Sequence, residues 1–358
     1  MTIHQSWRYP ALLPLSWLYL SVVHWRNWAY DRKIFRTVRL PTTVISIGNL
    51  TTGGTGKTPI VALLANALLE RNFRVAIVAG GYRREGRGSC IVSDGRGRLA
   101  GLRSAGDEPM LLAQKCPRVP IVVDRNKTAA AQIALDKFLP EIILVDDGFQ
   151  HRRLQRDNDL VLLDAQLLSP PAWLLPAGPL REPWSSLRRA HWVGLTNTSP
   201  VPEAARRELL QFIHEHSRAP VVPISFVADH LEHLWGRESL ANEKLANAKV
   251  FLVSGIANPQ RFHRMAADLG SRPAGKLVYH DHHRFTRVEV RALIEQFRTS
   301  GADFLITTAK DGVKLRQFEL LESLPVFVLE IRPQITPADF DALLSAIERM
   351  HAQRHAPL

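Results

Sequence analysis

Cysteine is almost absent from this 358-residue chain: Cys90 and Cys116 are the only two, far apart, in no CxxC pair and in no Cys/His set at metal-ligand spacing. A disulfide framework and a structural zinc site are therefore poor readings, and a reducing cytosol suits the chain. Acid is in short supply as well. Asp and Glu total 34 against 46 Lys plus Arg, a net charge of +12, which fits anionic partners such as nucleic acid, a membrane surface or phosphorylated metabolites. No internal repeat or low-complexity tract interrupts a composition that is 46% apolar and 22% charged, so the chain is neither a disordered tail nor a fibre. Its length suggests about two domains with real cores.

The chain also lacks an uninterrupted apolar stretch of the roughly 20 residues that a membrane span requires. Tyr9 to Trp25 comes nearest, with no Asp, Glu, Lys or Arg, but Pro10 and Pro14 break it. A helix is expected from about Leu15 to Tyr30, starting near the second proline. Four of the eight tryptophans (Trp7, Trp17, Trp25, Trp28) and three of the five tyrosines (Tyr9, Tyr19, Tyr30) fall in the first thirty residues, the enrichment found at a bilayer interface. Arg8, Arg26, Arg32, Lys33, Arg36 and Arg39 oppose the single acid Asp31 before position 41. An aromatic helix followed by cations suits an interfacial anchor on an anionic leaflet. A core helix is the alternative, and a cleaved signal peptide lacks its A-x-A site.

Phosphate chemistry is written more plainly. Thr43 to Ile47 is a short β-branched run, Gly48-Asn-Leu-Thr-Thr-Gly-Gly-Thr-Gly-Lys-Thr58 follows, and Pro59 to Glu70 is apolar at helical spacing. Strand, glycine loop and helix make a Walker A element, in which backbone N–H groups face phosphate, a lysine reaches the β and γ phosphates and a threonine hydroxyl binds Mg²⁺. The ATP-binding residues expected are Thr51, Thr52, Gly53, Gly54, Thr55, Gly56, Lys57 and Thr58, with Thr51 standing where the usual pattern has glycine. Ile142-Ile-Leu-Val-Asp-Asp147 has the Walker B shape, an apolar strand ending in carboxylates. Paired buried acids need a cation or donors; the alternative is a solvated Asp-Asp-Gly turn. Asp164 ends a similar strand and reads as structural.

Alternating short strands and helical segments predict an α/β fold: a P-loop NTPase domain with a mainly parallel sheet and a second, smaller α/β domain. Strands are expected at 75–78, 121–123, 142–145, 160–163, 221–224, 250–253, 304–307 and 326–329. The division is 1–40 for the aromatic and basic segment, 41–205 for the ATP-binding domain and 206–358 for the smaller domain, with the boundary near 200–245, where Pro200-Val-Pro202 and the polar stretch from Arg237 to Lys244 interrupt the alternation. A membrane-recruited regulatory ATPase of the partition or Min type is the rival class, but Thr52 occupies the place of its signature lysine. A GTPase lacks its Asn-Lys-x-Asp, and no recognised nucleic-acid motif accompanies the charge.

Several motifs together carry a resemblance. Gly48-Asn49 with Gly-Gly-Thr-Gly-Lys-Thr-Pro59, Gly106-Asp-Glu-Pro109, Asp146-Asp-Gly-Phe-Gln-His151, Leu175-Pro-Ala-Gly-Pro-Leu-Arg-Glu-Pro183, Ser254-Gly-Ile-Ala-Asn-Pro259, Asp281-His282 and Thr308-Ala-Lys-Asp311 resemble the tetraacyldisaccharide 4'-kinase family of lipid A synthesis. The resemblance implies ATP- and Mg²⁺-dependent transfer of the γ-phosphoryl group to the 4'-hydroxyl of an acylated glucosamine disaccharide 1-phosphate, at the cytoplasmic face of the bacterial inner membrane. The family pattern is broken at Ala79-Gly-Gly-Tyr82 and at Ala309, and no role is assigned to Gly80 or Ala309.

It further implies that Asp146 and Asp147, with Thr58, hold Mg²⁺ beside the catalytic Lys57. Asp107 and His282, 175 positions apart, would form a base dyad; taken alone, Asp107 reads as a helix N-cap and His282 as a surface histidine. Arg181 and Glu182, on a proline-rich loop, would stand at the active site, a salt-bridged turn being the alternative. Gln150, His151 and Asp281 would position the acceptor, the metal waters or the dyad.

Overall fold

The computed structural model describes residues 10–166, 173–198, 201–236 and 238–356. Trp7, Arg8, Tyr9, Pro200 and Arg237, which entered the reading above, lie outside them. In chain order the strands are β1 (Thr43–Asn49), β2 (Val75–Ala79), β3 (Cys90–Asp94), β4 (Pro120–Val123), β5 (Ile142–Asp146), β6 (Asn158–Asp164) and β7 (Trp192–Thr196). They continue as β8 (Val221–His233), β9 (Ser239–Leu240), β10 (Lys249–Ser254), β11 (Arg272–Val278), β12 (Phe304–Thr308) and β13 (Val326–Gln334). The helices are α1 (Leu13–Asp31), α2 (Lys57–Glu70), α3 (Leu102–Ala105), α4 (Asp107–Lys115) and α5 (Lys127–Phe138), then α6 (Glu203–His216), α7 (Pro259–Asp268), α8 (Arg287–Ser300), α9 (Ala309–Leu315) and α10 (Pro337–His355).

All thirteen strands belong to one sheet, ordered β11-β10-β12-β13-β8-β7-β6-β1-β5-β2-β4-β3 with β9 beside β8. Parallel pairing dominates because helical crossovers return the chain to the same end of the sheet. The central strands β1, β2, β5 and β6 are buried throughout, as expected of hydrophobic runs covered on both faces. β8 is much longer than the 221–224 expected. Its first residues run parallel to β7 and its remainder antiparallel to β13, so it belongs to both halves of the sheet. The core is continuous across it: Ile45, Ile60 and Leu64 share a buried cluster with Val222, Phe226 and Val313. The C-terminal helix α10, grouped by sequence with the second half, packs back on the first, burying Leu343, Leu344 and Ile347 in that cluster; each such side chain contributes about 1.5–3 kcal/mol.

The N-terminal helix appears where expected, but the side turned inward combines Ser16 and Asn27 with Val23 and Ala29 and leaves the largest apolar residues outside. Ser16 and Asn27 are buried, while Leu15, Trp17, Leu18, Val22, Trp25 and Trp28 are exposed. The Ser16 hydroxyl donates to the Leu174 carbonyl and accepts from Ala177 N–H, both at 3.0 Å, and the Tyr19 hydroxyl donates to the Arg181 carbonyl at 2.9 Å. No helix among the described residues is long and apolar enough to cross a membrane.

Candidate active site

β1 lies between β5 and β6, and the loop after it opens at the C-terminal ends of these strands, where parallel α/β sheets bind ligands. Gly48 lets the neighbouring turn approach: a Cβ there would meet the Phe149 Cβ at 2.5 Å. The loop ends at Gly56, whose φ of +85° suits glycine and where a Cβ would fall 2.1 Å from Phe226 Cζ. Lys57 and Thr58 open α2, so the free N–H groups of its first turn face the loop. Thr51 is fully buried. Thr52 N–H donates to the Pro179 carbonyl at 2.8 Å, Arg181 N–H donates to the Leu50 carbonyl at 2.7 Å, and Asn49 Nδ2 donates to Thr55 Oγ1 at 3.2 Å. The proline-rich loop is thus bonded to the start of the phosphate loop, at Leu50 and Thr52.

Asp146 ends β5, with Ile47 of β1 as its register partner. Its buried Oδ1 has no hydrogen-bond partner, and burial, then the Glu108 carboxylate, push its pKa up to about 7. Asp147 follows in the left-handed region at φ +53°, a conformation that costs about 1–3 kcal/mol in a non-glycine residue and persists only where its surroundings enforce it. Here Lys57 Nζ lies 3.4 Å and Arg181 Nη1 3.0 Å from its carboxylate. Burial would raise Asp147, but Lys57, Lys127 and Arg181 outweigh it and hold the acid below the usual carboxylate range. An orphaned carboxylate oxygen beside an ionised one, under a threonine at a helix start, fits Mg²⁺, which takes few protein ligands. No group of three or more His, Cys, Asp or Glu side chains able to hold a metal occurs among the described residues. Gln150 Nε2 donates to the Asn49 carbonyl at 2.9 Å. His151, 3.5 Å from the Thr128 hydroxyl, is pushed down to about 4 by burial and then by Lys127, and is neutral at physiological pH.

Asp107 and His282 meet. His282 Nδ1 lies 2.9 Å from Asp107 Oδ2 and 3.2 Å from Oδ1, with both side chains largely buried. Asp107 is the first residue of α4, after the N-cap Gly106, and its Oδ1 also accepts from the Glu108 main-chain N–H at 3.0 Å. His282 is held at φ +59°, its main-chain N–H donating to Asp281 Oδ1 at 3.0 Å and its ring meeting Tyr82 edge-on at 4.9 Å. Burial raises Asp107, yet the His282 hydrogen bond and Lys310 overcome it and keep the acid below its ordinary value.

The family model for tetraacyldisaccharide-1-P 4'-kinase matches residues 8–349. The chain belongs to this kinase family. It is similar to the tetraacyldisaccharide 4'-kinase of Bdellovibrio bacteriovorus, 38% identical over 306 residues that cover 86% of this chain and 89% of that one. The enzyme of that name from Desulfotalea psychrophila is 36% identical over 336 residues, covering 92% and 94%. Among solved structures, the apo form of LpxK from Aquifex aeolicus in complex with ATP matches with a TM-score of 0.77 at 31% identity, over 96% of this chain and 99% of that one. The chain is accordingly an ATP-using phosphotransferase with an alcohol acceptor, in lipid A biosynthesis.

Within this kinase, three site residues escaped the sequence reading. Lys127 Nζ donates to the main-chain carbonyls of Asp146 (2.8 Å) and Asp147, fixing the turn that carries the acids. Lys310 Nζ lies 3.0 Å from Asp281 Oδ1, 3.3 Å from Glu108 Oε1 and 3.1 Å from His282 Nε2. Glu108 and Lys310 sat inside quoted motifs, whereas Lys127 follows Asn126 at a helix start and looks like a solvated cation. Glu182 has a different place from the one expected. Fully buried, it accepts from Asn27 Nδ2 at 2.9 Å and Arg189 Nη2 at 2.8 Å, with Arg26 Nη2 at 3.3 Å; it ties α1 to the proline-rich loop and reaches the acids only through Arg181. Asp164 is a structural strand end, accepting from Asn197 Nδ2 at 2.6 Å.

Proposed function

We propose that phosphoryl transfer takes place in the cleft between the phosphate loop and the Asp107–His282 pair. The acceptor's 4'-hydroxyl oxygen bonds to the γ-phosphorus of ATP, the bond from that phosphorus to the β–γ bridging oxygen breaks, and ADP departs. The hydroxyl proton passes to His282 Nε2, while Asp107 holds Nδ1–H and stabilises the imidazolium. Lys57 and the loop N–H groups bind the phosphates; Arg181 orients Asp147 and can turn to the developing charge. Asp146, Asp147 and Thr58 are the residues that would hold Mg²⁺, which when bound neutralises charge on the β and γ phosphates. The observation that carries this reading is the 2.9 Å contact between Asp107 and His282, two buried groups 175 positions apart with no evident structural need for each other.

In the same reading, residues 41–205 bind ATP and 206–358 close over the acceptor, with α4 packed on α9 at the junction. The exposed row Leu15, Trp17, Leu18, Val22, Trp25 and Trp28 supports interfacial docking at the cytoplasmic face of the inner membrane, since this outward apolar stripe stays exposed even though Trp25 meets Phe35 edge-on. The test incubates the purified protein with Mg²⁺, labelled ATP and the acylated disaccharide 1-phosphate in detergent micelles. Labelled lipid is expected from the wild type and none from Lys57→Ala; ATP hydrolysis with no labelled lipid would return the regulatory ATPase.

A further inference from the structure

We infer that Lys310 is a positioning residue that fixes the tautomer and charge of His282. This rests on the base assignment just made and adds a residue to it. Lys310 stands in the first turn of α9, its side chain only 16% exposed, and its Nζ contacts Asp281 Oδ1, Glu108 Oε1 and His282 Nε2 at 3.0–3.3 Å. An ammonium has three N–H donors and no acceptor. Each contact is therefore a donation, and His282 Nε2 must present its lone pair; the ring proton then sits on Nδ1, facing Asp107 Oδ2 at 2.9 Å.

Burial opposes the charge on Lys310, but Glu108, Asp107 and Asp281 together hold its pKa above the ordinary lysine value, so the donor is ionised at working pH. A neutral imidazole with Nδ1–H and a free Nε2 lone pair is the form a general base needs, and an ammonium at 3.1 Å opposes premature protonation. The same lone pair takes either a Lys310 N–H or the hydroxyl proton, so the lysine guards the base until the acceptor displaces it. The other groups around the ring are Asp107 and Glu108 from α4, Asp281 beside it, Lys314 on α9, the Tyr82 ring, and Arg83, whose guanidinium donates to the Asp281 and His282 carbonyls at 3.4 Å. Without Lys310, three carboxylates face the imidazole with only Arg83 and Lys314 nearby to oppose them.

The test is the pH profile of kcat/KM for the acceptor at saturating Mg²⁺ and ATP, for wild type, Lys310→Met and Lys310→Arg, with His282→Ala as reference. In Lys310→Met the acidic limb should move to higher pH by about one unit or more, because removing a nearby cation favours the imidazolium. Lys310→Arg should leave the limb in place, and ¹⁵N spectra of the wild type should give His282 as the Nδ1–H tautomer. A folded Met variant with an unmoved limb, or an Nε2–H tautomer in the wild type, overturns the inference. If the Met variant fails to fold, the Arg variant and the wild-type tautomer decide it. His282→Ala with undiminished kcat would refute the base assignment and this inference with it, whereas an inactive His282→Ala beside an unmoved limb refutes the inference alone.

Discussion

Glu182→Gln separates a structural tie from a chemical role. Glu182 has no exposed side-chain surface, and Arg189 beside it is 13% exposed, so the change leaves a buried guanidinium without its counter-charge. Removing one partner of a buried ion pair costs about 3–5 kcal/mol. Glutamine still accepts from Asn27, and Arg26 is a third exposed and can find water, which places the expected loss near the lower end, about 3 kcal/mol. With an unfolding entropy of about 2.1 cal/mol/K per residue, a chain of 358 residues should lose roughly 4 °C in Tm. Glu182 reaches Asp147 only through the Arg181 backbone and side chain, so kcat should fall by less than about tenfold, against the 10²–10⁴-fold typical of a lost general base. Calorimetric melts and steady-state kinetics on the detergent-solubilised protein read both quantities. An unchanged Tm with a hundredfold loss of kcat would refute the reasoning and put Glu182 in the chemistry.

The exposed face of α1 gives a second expectation: Leu18→Asp with Trp25→Asp should release the protein from anionic vesicles in flotation assays while micellar kcat stays near wild type, and persistent vesicle binding would contradict the anchor. Asp146 gives a pH dependence. Its folded pKa of about 7 exceeds the ordinary aspartate value of 3.8, so the folded state binds the proton more tightly and the metal-free protein should lose stability as pH rises from about 4 to about 7. At 1.36 kcal/mol per unit the loss is at most about 4 kcal/mol. Asp146→Asn should abolish that slope in metal-free melts at the cost of activity; parallel slopes in the two proteins would refute it.

The phosphate loop and its acids were legible because their chemistry is local: consecutive N–H groups, one lysine, one strand ending in carboxylates. The resemblance supplied the Asp107–His282 pairing, which no spacing argument could, since only the tertiary fold brings the start of α4 to the loop after β11. Lys127 stayed hidden because a lysine at a helix start is usually solvated, and nothing local signals that it bonds two carbonyls of a turn. β8 extends well beyond the four residues expected; as the strand linking two half-sheets it alternates between buried and exposed positions, and so carries Asp229, His230 and Glu232. β11, with Pro273, Gly275 and Lys276, is an edge strand that is largely exposed, and edges tolerate residues that hide a strand from pattern reading. In α1 the apolar residues marked a helix correctly, but periodicity cannot say which side a body covers; Ser16, Tyr19 and Asn27 decided that by hydrogen bonding.

The central claim is that Asp107 and His282 act on the acceptor hydroxyl opposite the phosphate loop. Its most direct test is the steady-state kinetics of Asp107→Ala with the disaccharide acceptor in micelles. The account predicts a fall of about 10²–10⁴-fold in kcat with the KM for ATP nearly unchanged. An intact kcat with a raised KM for ATP would contradict it.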